Sequence, residues 1–305
     1  MLLASAAAII SPRLTSAQEP TFSTAVNVVN VLANVRDKKG HIIRDLNKDD
    51  FVILEDGRPQ NIRYFAAQSD LALTLGLMID SSMSEARVIT PERSACFDFL
   101  DQVLRPRKDK AFLIQFDTNV MVRQDLTSSW KDLNEALTTV DTPSRRELRE
   151  HAGGPGTLLY DALIKGSQMM LDQNGRKALI VTTDGVDEGS NADLPTTIDA
   201  AQKSDTLIYS ILFADPGFYG LGGGHEARGV LQRLSRETGG GFFEVSKNEN
   251  ISQIFDLIQD ELRSQYSLGY VSDQPQTHFG FRKLQVKTKQ KDLIVQARDR
   301  YYARP

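Results

Sequence analysis

Leu71-Ala72-Leu73-Thr74-Leu75-Gly76-Leu77-Met78-Ile79-Asp80-Ser81-Ser82-Met83-Ser84 is the stretch on which the fold turns. Leu71 to Ile79 is a nearly unbroken apolar run, the pattern of a strand buried on both faces of a parallel sheet. Asp80, Ser82 and Ser84 follow at alternate positions, just past the carboxyl end of that strand. Open α/β sheets bind ligands at such strand ends. Three oxygen groups on one tight loop suit a hard cation such as Mg²⁺. The same hydroxyls also suit the cap of a following helix, so two readings of the loop stand at this point.

Outward from this strand, apolar strand candidates at 71–79, 111–116, 120–123, 178–182, 206–213 and 241–245 alternate with helical patterns near 87–104, 128–139, 158–172, 194–203, 227–237 and 249–265. Alternation of this kind predicts right-handed crossovers and a doubly wound, mostly parallel α/β sheet. Asp117-Thr118-Asn119 is too short to carry a parallel crossover, so 120–123 is expected as one antiparallel edge strand. Leu158, Leu159, Ala162, Leu163, Met169 and Met170 share one helical face, and Ile251, Ile254, Phe255, Ile258 and Leu262 another. Both read as core-facing stripes.

The flanks have a different character. Residues 21–68 contain three β-like runs, at 26–35, 49–54 and 62–65, with Glu55-Asp56-Gly57-Arg58-Pro59 as a connecting turn. Residues 266–305 contain three more, at 266–271, 281–288 and 292–297. A small isolated sheet is marginally stable. The two flanks are therefore expected to pair into one β-sandwich, with the α/β domain of residues 69–265 inserted between them.

The chain has 305 residues, 25% of them charged, and a net charge of −4, which argues against a nucleic-acid surface. Arg105-Pro106-Arg107-Lys108 reads as a solvated basic loop. Within residues 1–20, the apolar segment Leu2 to Ile10 and the small residues Thr15-Ser16-Ala17 before Gln18 resemble a secretory signal peptide. No Lys or Arg precedes the apolar segment, so a buried or disordered tail is the alternative. The single cysteine, Cys96, permits no intramolecular disulfide and falls on an apolar helical face, where a thiol is inert.

Two further segments complete a pattern. Gly153-Gly154-Pro155-Gly156-Thr157 sets a hydroxyl at the start of a helix, where it is either a ligand or an N-cap, and Leu179-Ile180-Val181-Thr182-Thr183-Asp184-Gly185 sets a carboxylate at the end of a central strand. Over residues 69–265 the chain resembles a von Willebrand factor A domain. It fills the five positions of that family's metal-ion-dependent adhesion site: Asp80, Ser82, Ser84, Thr157 and Asp184. The resemblance implies a bound Mg²⁺, Mn²⁺ or Ca²⁺ and a partner protein that offers an Asp or Glu carboxylate to it. It also implies a last helix, here 249–265, that shifts on binding in some members. Leu46 to Gly57 and Tyr266-Ser267-Leu268-Gly269-Tyr270 resemble exported bacterial von Willebrand factor A-related proteins common in acidobacteria, which implies a periplasmic, cell-surface or extracellular place.

Asp161, one helical turn after Thr157, is expected to support its loop, while Asp187, Glu188 and His151 are expected to be solvated. No Gly-x-Ser-x-Gly elbow, phosphate loop or paired-histidine spacing occurs, so no enzyme is expected. The readings rank as a metal-dependent adhesion or assembly module, then a metal-free scaffold of the same fold, then a Mg²⁺-dependent hydrolase.

Overall fold

The computed structural model describes residues 28–67, 71–144, 156–213, 223–246, 249–274 and 279–303. The signal-like segment, His151, Gly153 to Pro155 and the glycines from Gly217 to Gly222 lie outside the described residues. A six-stranded sheet forms the centre. In chain order its strands are β5 (Leu73–Asp80), β6 (Lys110–Phe116), β7 (Val120–Thr127), β8 (Arg176–Thr183), β9 (Leu207–Leu212) and β10 (Phe242–Glu244). Their spatial order is β10-β9-β8-β5-β6-β7. All neighbours are parallel except β6 and β7, which pair antiparallel at the edge as the three-residue link requires.

All eight residues of β5 are buried, because helices cover both faces of the sheet. Leu73, Leu75, Leu77 and Ile79 face one layer, built from α1 (Ile89–Val103), α2 (Trp130–Thr138) and the last helix, α6 (Ile251–Ser264). Met78 faces the other, built from α3 (Leu159–Met170), α4 (Leu194–Lys203) and α5 (Gly223–Thr238). Each fully buried aliphatic side chain contributes about 1.5–3 kcal/mol, so β5 anchors both layers. Helix α5 begins at Gly223 rather than near Ala227. Glycine is a poor helix former, which masks the first turn in the sequence.

The flanks build the expected sandwich. One sheet runs β13-β1-β11-β4 and the other β14-β12-β2-β3. The N-terminal flank supplies β1 (Val28–Arg36), β2 (Phe51–Glu55), β3 (Arg58–Gln60) and β4 (Ile62–Ala66). The C-terminal flank supplies β11 (Tyr266–Val271), β12 (Gly280–Thr288), β13 (Ile294–Ala297) and β14 (Arg300–Ala303). Within their sheet, strands β1 and β4 are joined through β11, which lies between them. Both sheets enclose one apolar cluster that includes Val31, Val35, Ile53, Tyr266 and Leu268.

Two strands escape the sequence pattern. The link after β2 is a two-residue turn, Asp56-Gly57, with φ of 47° and 82°, followed directly by β3. Positive φ at both central residues matches the twist of a tight hairpin, and glycine takes it without strain. Pro59 sits in β3 because that strand is an edge. The other is β14, a four-residue edge strand paired to β12. Among the described residues no helix is long and apolar enough to cross a membrane.

Candidate metal centre

Asp80 is the last residue of β5 and Thr183 the last of β8, and the two strands are neighbours. Register therefore places Asp80 beside the Thr183-Asp184 pair. Asp80 is fully buried; its Oδ1 accepts from Ser82 N at 2.9 Å and its Oδ2 from the Thr183 hydroxyl at 2.6 Å. Burial, then the nearby Asp184 charge, pushes the Asp80 carboxyl up to about 7 against the bonds from Thr183 and Ser82. Asp184 is 4% exposed and its Oδ1 accepts from Val186 N at 2.9 Å.

The hydroxyls of Ser82 and Ser84 touch at 2.9 Å. They are not spent on capping. Helix α1 has Val88 at its N-cap, and the short 3₁₀ turn Met83–Glu85 has Ser82 there, both without a side-chain cap bond. Thr157 is no cap either: Leu158 holds that position in α3, again without a side-chain bond. The capping alternative raised by the sequence is thus removed for all three hydroxyls.

Thr157 joins the cluster through its backbone. Its N–H donates to Glu188 O at 3.1 Å and its carbonyl accepts from Glu188 N at 2.9 Å. That bridge binds the Thr157 segment to the loop after Asp184. A Cβ on Gly156 would stand 2.5 Å from Glu188 O, so only glycine permits the approach. Leu158 N donates to Asp117 O at 2.8 Å, and the Ser81 hydroxyl donates to Asp117 Oδ2 at 2.9 Å. Four separate loops are tied at one edge of the sheet.

Several contributors were not singled out by the sequence. Thr183 reads as the end of a strand, and Asp117 reads as a turn residue, yet each holds a site segment in place. Glu92 on α1 is fully buried and accepts from the Thr182 hydroxyl. Burial raises its carboxyl to about 8, with the Asp80 charge adding to the rise against the Thr182 bond. Cys96, one turn on, is buried, and burial with the Glu92 charge raises its thiol, in keeping with an inert group. Asp187 is not merely solvated: it accepts from Tyr160 N at 3.0 Å in the first turn of α3 and from the Ser190 hydroxyl. Asp161 accepts from Asn191 N and Ala192 N and so supports the loop before α4 rather than the Thr157 loop. Arg105 also departs from the solvated reading, because it clamps buried Asp109 at 2.9 Å.

Among the described residues no three His, Cys, Asp or Glu side chains are arranged to hold a metal ion. A cation at this edge would instead draw on two carboxylates and neutral hydroxyls. That donor set is all oxygen, and it fits a hard cation. Two buried carboxylates that repel each other also fit a site that positive charge would relieve.

The chain matches the family model of the von Willebrand factor type A domain over residues 75–257, well over half its length. No curated protein matches it. Among solved structures it is similar to proximal thread matrix protein 1 from the mussel byssus, with a zinc-occupied MIDAS motif, at 16% identity and TM-score 0.51, covering 70% of this chain and 50% of that one. It is also similar to the conserved hypothetical protein BatB from Bacteroides thetaiotaomicron, at 17% identity and TM-score 0.47, covering 63% of this chain and 97% of that one. A third is the pilus adhesin SpaC from Lactobacillus rhamnosus GG, at 10% identity and TM-score 0.49, covering 86% and 48%. At these identities the likeness is one of fold.

Proposed function

We propose a function for this chain from a plain premise: it belongs to the von Willebrand factor type A domain family. It is a divalent-metal-dependent protein-binding module, and Asp80, Ser82, Ser84, Thr157 and Asp184 are the residues that would hold the ion. The observation that carries this reading is the pairing of two buried carboxylates, Asp80 and Asp184, with hydroxyls that no helix cap consumes. A hard cation with mostly neutral ligands supplies residual positive charge that attracts a carboxylate. The chain's own part is to fix the loops: Thr183 orients Asp80, and the Glu188 bridge holds Thr157.

Mg²⁺ is the ion proposed, with Mn²⁺ or Ca²⁺ as substitutes, and the partner is another protein that offers an Asp or Glu side chain. Binding rather than turnover is proposed, because the sequence carries no nucleophile elbow or paired-histidine pattern. Export to the periplasm, cell surface or medium is part of the same proposal, supported by the signal-like residues 1–20 and by flanks that resemble acidobacterial-type relatives. A metal-free scaffold has one observation in its favour. Both Asp80 oxygens already accept hydrogen bonds, so the site is internally satisfied.

Calorimetric titration with Mg²⁺ and with Mn²⁺ separates the two. Saturable binding to the wild type that the Asp80→Ala/Asp184→Ala double variant loses is the expected result. Equal heats for both proteins would leave the scaffold.

A further inference from the structure

The opposite end of the α/β sheet meets the sandwich, and there a polar cavity of about 220 Å³ opens between the two. Its walls come from both units: Asn30 and Arg298 from the sandwich side, Gln173, Asn174, Lys177 and Asp205 from the α/β side. Arg176 also contributes, so three cationic residues face one carboxylate. That carboxylate is already engaged, since Arg298 donates to Asp205 at 3.3 Å. The Arg176 guanidinium is turned to backbone carbonyls of Leu262 and Gln265. Lys177 is different. It is half-buried in β8 and, among the described residues, makes no hydrogen bond or ion pair. Burial lowers its ammonium, with Asp205 pulling the other way. The Oδ1 of Asn30 accepts from the Ser267 hydroxyl at 3.0 Å, which leaves its NH₂ as a donor.

We propose that this cavity binds a small oxyanion, a carboxylate or phosphate group, with Lys177 as its principal counter-charge, Arg298 as a second, and the amides of Asn30, Gln173 and Asn174 as donors. A half-buried ammonium with no hydrogen bond or close ion pair among the described residues is only partly repaid for its lost hydration by the Asp205 charge, and an anion beside it restores more of that loss. A water occupies about 30 Å³ of liquid volume, so the cavity holds a solute of several heavy atoms rather than a single ion. Because its walls belong to two units, the solute would tie the α/β domain to the sandwich. This site lies at the strand end away from Asp80 and is independent of the metal proposal.

The test is thermal unfolding and calorimetry of the full chain in metal-free buffer, titrated with inorganic phosphate and separately with succinate. The expected result is a saturable rise in Tm with at least one probe. Lys177→Gln should weaken that binding at least tenfold, and Asn174→Asp, which adds repulsion at an exposed position, should weaken it without unfolding risk. Asp80→Asn should leave it unchanged. Phosphate alone or succinate alone would each support the site and assign its class. No saturable response to either probe, equal affinity in Lys177→Gln and Asn174→Asp, or loss in Asp80→Asn would overturn it.

Discussion

Asp80 and Asp109 are buried aspartates at opposite ends of the same parallel sheet, 0% and 1% exposed. Asp80 ends β5, and Asp109 directly precedes β6. Burial would raise both carboxyls. At Asp109 it is outweighed: Arg105 and Arg263 bond the carboxylate, with backbone donors from Arg105 and Leu73, and hold it well below the usual range. At Asp80 no cation among the described residues answers, Asp184 adds repulsion, and the carboxyl rises to about 7. The same residue type thus serves cohesion at one end and stored electrostatic tension at the other. Pairing does not always win at the cohesive end. Glu261 on α6 is bonded by Asn34, Arg36 and Gln296 of the sandwich, yet burial still leaves it raised. These bonds, with those of Arg176 and Arg263, fasten the C-terminal half of α6 to both units.

The largest expected effect follows from the unanswered end. Between its unfolded value of 3.8 and about 7, native Asp80 holds a proton that the unfolded chain has released. Stability of the metal-free protein therefore falls as pH rises through that window. A shift of three units corresponds to about 4 kcal/mol. Glu92, raised to about 8, adds a loss of the same sign. Asp109 contributes nothing to this slope, because its stabilisation is fully present above its unfolded value and is lost only as pH falls below the ordinary carboxylate range. Urea unfolding from pH 4.5 to 8 checks it: the wild type should weaken steadily, and Asp80→Asn should flatten the curve. A wild-type curve that does not fall would break the comparison.

Next in size is the answered end. Asp109→Ala leaves Arg105 and Arg263 without their shared carboxylate, and breaking a buried pair costs about 3 kcal/mol. Asp80→Asn at pH 8 should cost nothing or stabilise, because it removes an opposed charge. Urea midpoints for the two variants give the contrast directly. Equal losses would mean that the two ends are built alike.

The sequence carries some of this contrast and hides the rest. Strand ends are legible because an apolar run stops at a polar residue, and Asp80 and Asp184 stand at such stops. Thr157 is legible only through its place in the family pattern. The electrostatics of Asp109 is not legible, since Arg263 comes from a helix far along the chain and arrives only when α6 packs. Thr183 and Asp117 are hidden for the same reason: each acts on a loop that tertiary pairing brings near. The sandwich could be inferred from two groups of strands, but its order could not, because β11 must enter between β1 and β4. Short edge strands such as β14 bury too few residues to leave a periodic pattern.

The smallest effect sharpens the comparison most. Thr157 holds its place through backbone bonds to Glu188, and among the described residues its hydroxyl makes no hydrogen bond. Thr157 is buried, so Thr157→Ala should change stability by about 1 kcal/mol, the scale of one buried methyl group. Its effect on Mg²⁺ affinity should be about tenfold, equivalent to about 1.4 kcal/mol. Paired urea and calorimetric measurements on one preparation separate the two. A variant that binds Mg²⁺ as the wild type does would remove Thr157 from the donor set and leave Asp80, Asp184 and the two serines to hold the ion. A variant that loses stability instead would show that the hydroxyl serves the fold, and that the unanswered end of the sheet is smaller than its motif suggests.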